Sequence, residues 1–276
     1  MISVLLAAAR RWQAAGRPAV VVEVVRAAGS VPRPVGTRML VAADETLGTI
    51  GGGHLELQAI AQARALLADS QSALRSGGGM VRERHVALGP SLGQCCGGAL
   101  DLRFTPLAES DLAAWPAGQP RFHLQLYGAG HVGRAIAALL AGIDCRVQWI
   151  DERDAEFPVE PSPPHVQRLC VEPVQAEVAL APVGAFYLVL THSHALDMAI
   201  TQAIVKRADF AFLGLIGSKT KRARFEHRLR EQGVADAVLA RMQCPIGVPG
   251  IAGKEPEVIA VAVVAQLLQH GNPRPT

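Results

Sequence analysis

The stretch "FHLQLYGAGHVGRAIAALLAGIDCRVQWIDERD" (122–154) reads as strand, glycine turn, helix, strand and acidic tip. Gly128, Gly130 and Gly133 form a Gly-x-Gly-x-x-Gly pattern directly after the strand, and Asp151 ends the next strand, 23 residues beyond Gly128. Each part has a physical use. Glycines let the backbone approach an anion, and the helix that begins at His131 presents unbonded N–H groups to it. An acid at the end of the second strand takes a ribose hydroxyl. Further on, "HVQRLCV", "FYLVLT" and "DFAFLGLIG" are hydrophobic strands separated by helical segments. Alternation of this kind predicts a parallel sheet with helices on both faces, the Rossmann-like arrangement.

The preceding residues follow another grammar. Residues 2–15 carry apolar positions at helical spacing, and "PAVVVEVVRAAG" (18–29) is a β-branched run that ends in "GSVPRPVG". "TRMLVA" and "TLGTI" predict a hairpin through "ADE", "GGGHLELQAIAQARALLAD" (51–69) a helix begun by three glycines, and "MVRERHVAL" and "ALDLRFTPL" two more strands. The chain is read as an α/β protein: a smaller α+β N-terminal domain over 1–108, a linker over 109–121 and a Rossmann-like domain over 122–276.

A chain of 276 residues, half of them hydrophobic, has ample material for two cores, and its net charge of +3 does not mark a nucleic-acid binder. The start "MISVLLAAARRW" places its basic residues after a short apolar run, unlike a secretory leader. The apolar run "VIAVAVVAQLL" (258–268) is far shorter than the roughly 20 residues of a membrane-spanning helix. The expectation is a cytoplasmic protein that engages neither membrane nor nucleic acid.

In an open parallel sheet, ligands gather at the carboxyl ends of the strands. "THSHALD" brings His192, His194 and Asp197 there, and the candidates are metal ligation or a polar loop that caps the next helix. "GSKTKR" offers Ser218, Lys219 and Lys221 to a phosphate, against a solvated basic helix face. "CPIGVPGIAGKEPEVIA" (244–260) adds a glycine-rich loop whose Pro256 and Glu257 suit a first helical turn.

Five cysteines are an odd number, and their spread does not form a secreted disulfide framework. Cys145 and Cys170 lie within apolar strand runs and are expected in the core. Cys95 and Cys96 differ, because in "LGPSLGQCCGGALDL" (88–102) Gly93, Gly97 and Gly98 remove the side chains that would bury them. They lack the second ligand pair of a structural zinc site, and reducing surroundings disfavour a strained vicinal disulfide. Two readings remain, an accessible thiol for a soft ligand or sulfur and a pair of small residues in a buried loop, and the glycines favour the first.

Together "GSVPRPVGTRMLV", "GTIGGGHLE", "GQCCGGAL", "LYGAGHVG", "THSHALD", "GLIGSKTKRARF" and "CPIGVPGIAGKEPEVIAVAVVAQLL" resemble the XdhC/CoxI family of xanthine dehydrogenase accessory proteins over nearly the whole chain. The resemblance implies binding of the molybdenum cofactor (molybdopterin), its protection while a cysteine desulfurase supplies the sulfido ligand, and its delivery to the molybdenum-binding subunit of apo-xanthine dehydrogenase. It also implies a homodimer and a cofactor-insertion chaperone rather than a catalyst. The implied cofactor-binding residues are Cys95, Cys96, Gly97, Gly98, Gly52, Gly53 and His54, with Gly51 and Glu56 in the same motif, and Gly128, Gly130, His131 and Gly133 in the glycine turn. Asp151, Ser218 and Lys219 complete the candidate set from the residue reading, and no catalytic or resident-metal residue is assigned. Two other classes compete: an NAD(P)-dependent oxidoreductase built on Gly128, Gly130, Gly133 and Asp151, and a metal-dependent enzyme using His192, His194 and Asp197.

Overall fold

A computed structural model describes residues 2–73, 82–88, 97–115 and 120–271, which form two compact units, Met1–Gly118 and Gln119–Thr276. The first unit contains α1 (Ile2–Ala14), β1 (Ala19–Ala28), β2 (Arg38–Ala42), β3 (Thr46–Gly48), α2 (Gly53–Ala73), β4 (Arg82–Ala87) and β5 (Ala99–Pro106). Its sheet is antiparallel, in the order β3-β2-β1-β5-β4. β1 lies at the centre, with Val22 opposite Met39 on one side and Phe104 on the other. The apolar first half of β1, Ala19–Val22, follows from burial on both faces, and Glu23 and Arg26 enter only where the burial lessens. Val20, Val22 and Val24 pack with Leu55, Ala59, Ala63 and Leu66 of α2. Ala19 and Val21 pack with Leu5, Leu6, Ala9 and Trp12 of α1.

The stretch expected as linker starts inside this unit. Leu107–Glu109 forms a 3-10 turn, and Leu112 and Trp115 are buried in the cluster around α1. Gln13 Nε2 donates to the Leu107 and Ser110 carbonyls at 2.8 and 3.1 Å. Two large apolar side chains outweigh the polar, alanine-rich look of the segment.

The second unit contains β6 (His123–Tyr127), α3 (His131–Leu140), β7 (Arg146–Asp151), β8 (Val166–Cys170), β9 (Phe186–Val189), α4 (His194–Arg207), β10 (Phe212–Leu215), α5 (Lys219–Glu231), α6 (Asp236–Leu239), β11 (Met242–Gln243) and α7 (Pro256–Gly271). The strands form one parallel sheet in the order β11-β10-β9-β6-β7-β8. Counted from β6, that is the 3-2-1-4-5-6 dinucleotide-fold order, whose direction reverses between β6 and β9. Side chains alternate strictly between the faces. Leu124, Leu126, Phe186, Leu188 and Phe212 join the core under α3 and α7. Tyr127, Tyr187, Val189, Leu213 and Leu215 join the core under α4, α5 and α6. Burial on both sides is why these strands lack an alternating polar pattern.

The cysteine expectations divide. Cys145 is buried, and burial pushes its thiol up to about 12. Cys170 is exposed, contrary to the core expectation, because it ends the outer strand β8 and donates only to the Glu152 carbonyl, at 3.6 Å. Among the described residues, no helix is long and apolar enough to cross a membrane.

A Cβ on Gly133 would run into the Gly128 carbonyl, whereas one on Gly130 would meet nothing within 4 Å. Gly133→Ala is therefore expected to destabilise by about 1–3 kcal/mol and Gly130→Ala by a few tenths. Urea unfolding of the two variants checks the contrast.

Candidate functional site: the glycine turn and the strand ends around it

At the sheet's reversal point the loops after β6 and β9 meet through their backbones. Gly128 has φ +118°, donates its N–H to the Ile150 carbonyl at 2.8 Å, and has no room for a Cβ against the Leu190 carbonyl. Leu190 N–H returns to the Tyr127 carbonyl at 2.9 Å, and Trp149 Nε1–H donates to the Gly128 carbonyl at 3.0 Å. The turn is thus held from β7 and β9 together. Gly130 is the N-cap of α3 and supplies no side-chain cap, and His131 is exposed on the first turn. The start of α3 is thus uncapped, with free space beside Gly130, an arrangement that favours an anion.

Asp151 lies below this turn, its side chain 3% exposed. Oδ2 accepts from Ala129 N–H at 2.7 Å and from Arg153 Nη2 at 3.0 Å. Oδ1 accepts from Arg153 N–H and Arg153 Nε, both at 3.0 Å. Burial alone would raise this carboxyl's pKa. The Arg153 guanidinium and the two backbone N–H groups overcome that effect and hold it below the usual carboxylate range. The acid expected to take a ribose hydroxyl is engaged with its own glycine turn and with Arg153. Sequence reading passed over Arg153, although an arginine two residues beyond the strand-end acid was the available signal.

Two neighbouring helix starts on this rim, those of α4 and α5, are capped by their own serines. Ser193 Oγ accepts from Leu196 N–H at 3.4 Å, and Ser218 Oγ from Lys221 N–H at 3.2 Å. Ser218 and Lys219 are both exposed. Lys221 is not on the surface with them. Its Nζ donates to Asp197 Oδ2 at 2.6 Å and to the Ile216 carbonyl at 2.7 Å. Asp197, 1% exposed, also accepts from Thr191 N–H at 3.0 Å and Thr191 Oγ1 at 2.7 Å, so it shapes the loop after β9. His192 faces Glu152 at 3.6 Å, and His194 is exposed. The metal set of His192, His194 and Asp197 does not assemble, and no three His, Cys, Asp or Glu side chains among the described residues are placed to hold a metal.

The first unit gathers its own glycines. Gly98 has no room for a Cβ against the carbonyls of Ala28 and Ser30, and Gly51, at φ +131°, has none against Pro32. Gly52 and Gly53 have φ +77° and +65°, and Gly97 is exposed. Glu56 Oε2 organises the start of α2, accepting from Thr49 Oγ1 at 2.5 Å, Ile50 N–H at 3.0 Å and Gly52 N–H at 3.1 Å. His54 is exposed, its Nε2 2.9 Å from Gln58 Nε2. Gln58 Oε1 is occupied by Arg84 Nη2 at 2.9 Å, so the Gln58 amide N–H donates and His54 Nε2 accepts. Cys95 and Cys96 lie outside the described residues.

Because the carboxyl of Asp151 is held below its unfolded value near 3.9, its charge stabilises the fold above that pH. That stability is lost as pH falls through the folded value. Asp151→Asn should lower the urea midpoint at pH 7 and flatten its decline below about pH 4. Trp149 fluorescence, in a chain with Trp12 and Trp115 changed to Phe, reads this locally. An unchanged acid slope would contradict the assignment.

A family model described as "XdhC Rossmann domain" matches residues 124–267, and one described as "XdhC and CoxI family" matches residues 12–78. An uncharacterized protein of Escherichia coli K12, YqeB, is 35% identical over 266 residues, covering 94% of this chain and 44% of that protein. The chain thus spans less than half the length of this curated relative. A crystal structure described as a xanthine dehydrogenase from Bacillus halodurans superposes with a TM-score of 0.69 at 17% identity, covering 96% of this chain and 95% of that one. That likeness extends the shared fold across both units. On the two family matches, the chain belongs to the XdhC/CoxI family, with an XdhC Rossmann domain as its second unit.

Proposed function

We propose that the protein is a molybdenum-cofactor accessory factor, which holds the cofactor during sulfuration and delivers it to apo-xanthine dehydrogenase. Family membership supplies the context. The observation that carries the reading is the uncapped start of α3 above an acid already satisfied within the fold. The glycine turn offers N–H groups to a phosphate, as molybdopterin has, without offering a free carboxylate to a nicotinamide cofactor's ribose. The residues proposed to hold this cargo are Gly128, Gly130, His131 and Gly133 at its phosphate, with Ser218 and Lys219 on the same rim.

In the first unit, Gly52, Gly53, His54, Gly97 and Gly98 are proposed as cofactor-binding residues. Cys95 and Cys96 are proposed to meet the molybdenum as soft thiolate ligands. The factor works in the cytoplasm as a homodimer, receives sulfur from a cysteine desulfurase, and gives up its cargo to the molybdenum-binding subunit.

Protein purified from cells replete in the cofactor should carry pterin, read as fluorescence after acid oxidation, and should transfer it to apo-xanthine dehydrogenase. At least one of Cys95→Ser and Cys96→Ser should reduce the loaded fraction by tenfold or more, on the order of one lost ligand bond. Normal loading of both variants would remove the thiols from the site. Absence of pterin together with absence of transfer would refute the function.

A further inference from the structure

Asp151 stands where a dinucleotide-binding acid belongs, yet an ionised carboxylate has about four acceptor positions and four donors already fill them. Three of the four come from Arg153, through its backbone N–H and the Nε and Nη2 of one edge of its guanidinium. The guanidinium is itself braced from the far side. Its Nη1 reaches Glu156 Oε1 at 3.3 Å, and Arg134, on the first turns of α3, donates to the Glu156 carbonyl at 3.2 Å. A chain of contacts therefore runs from the glycine turn through Asp151, Arg153 and Glu156 back to the helix that the turn begins.

We propose that Arg153 is a specificity residue that closes the ribose-recognition position of the Rossmann crevice. Its guanidinium occupies the Asp151 oxygens that a ribose diol would otherwise engage. The crevice then admits a phosphate ester and rejects ligands whose affinity depends on ribose bound at the tip of β7, nicotinamide and adenine dinucleotides among them. Arg153 does not act as a docking point for a 2′-phosphate, because its fork is already divided between Asp151 and Glu156. The inference rests on the glycine turn being the ligand site, as in the reading above, and adds which ligands it turns away.

The test is calorimetric titration of the full-length protein with ADP-ribose, NADH and NADPH. Wild type should bind none of the three at micromolar concentration. Arg153→Ala should tighten ADP-ribose and NADH by about tenfold or more, the scale of one or two hydrogen bonds to a charged acceptor. Arg153→Ala/Asp151→Asn should lose that gain, which a merely loosened turn would keep. Glu156→Ala, which frees only the outer end of the guanidinium, should show a smaller gain in the same direction. It decides the matter if Arg153→Ala does not fold. No gain in either single variant overturns the proposal. So does micromolar NADPH binding by wild type that Arg153→Ala abolishes, since Arg153 would then be a phosphate ligand. Pterin loading of the same variants is read separately. A chain without pterin that still gains ADP-ribose affinity overturns the accessory function and leaves the specificity role standing.

Discussion

The hydrogen bond from Ala129 N–H to the Asp151 carboxylate, 2.7 Å long, is the constraint around which the second unit is arranged. It fixes the glycine turn after β6 to the tip of β7, while the Leu190 N–H bond to the Tyr127 carbonyl, at 2.9 Å, ties the same turn to the loop after β9. With the turn pinned from both sides, α3 begins without a side-chain cap. Gly133 lets that helix lie directly against the Gly128 carbonyl. A buried charge held this way is costly to leave unpaired, which explains why Arg153 and two backbone N–H groups converge on it.

The same economy recurs across the sheet reversal. Asp197 and Lys221 form a second buried pair, at 2.6 Å, that fixes the loop after β9 through Thr191. Asp151 ends β7 and Asp197 lies in the first turn of α4, both on the rim where ligand contacts are expected, and both are committed to shaping loops. Among the described residues the start of α3 has no side-chain cap, whereas α4 and α5 are capped by Ser193 and Ser218. Under the proposed function, main-chain N–H groups would take most of a phosphate's contacts there, and the exposed His131, Ser218 and Lys219 would add to them from the rim.

Much of this was legible in the residues. The switch from β-branched runs and hairpins to strand–turn–helix repetition separated the two architectures, because alternation is a property of the chain itself. The glycine pattern was readable for the same reason, as its spacing encodes a turn. The failures share one cause, that side-chain partnership is a tertiary property. Lys221 sits in the basic run "GSKTKRARF", yet it turns inward to Asp197. Asp151 has the right spacing for ribose but not the freedom. Cys170 belongs to an apolar run, and only its place at the outer strand exposes it. Leu112 and Trp115 look like linker residues until their burial against the α1 cluster is seen.

The central claim is that the open first turn of α3 receives the phosphate end of a molybdenum-bearing pterin. Gly130 has φ −68° and free space beyond its Cα, so a leucine can stand there without backbone strain and fill the volume the ligand needs. The direct measurement is the molybdenum content of wild type and Gly130→Leu, purified from molybdate-replete cells and read by mass spectrometry. The account predicts molybdenum approaching one atom per wild-type chain and its loss in a folded Gly130→Leu variant. Equal molybdenum in both proteins, or none in either, would contradict it.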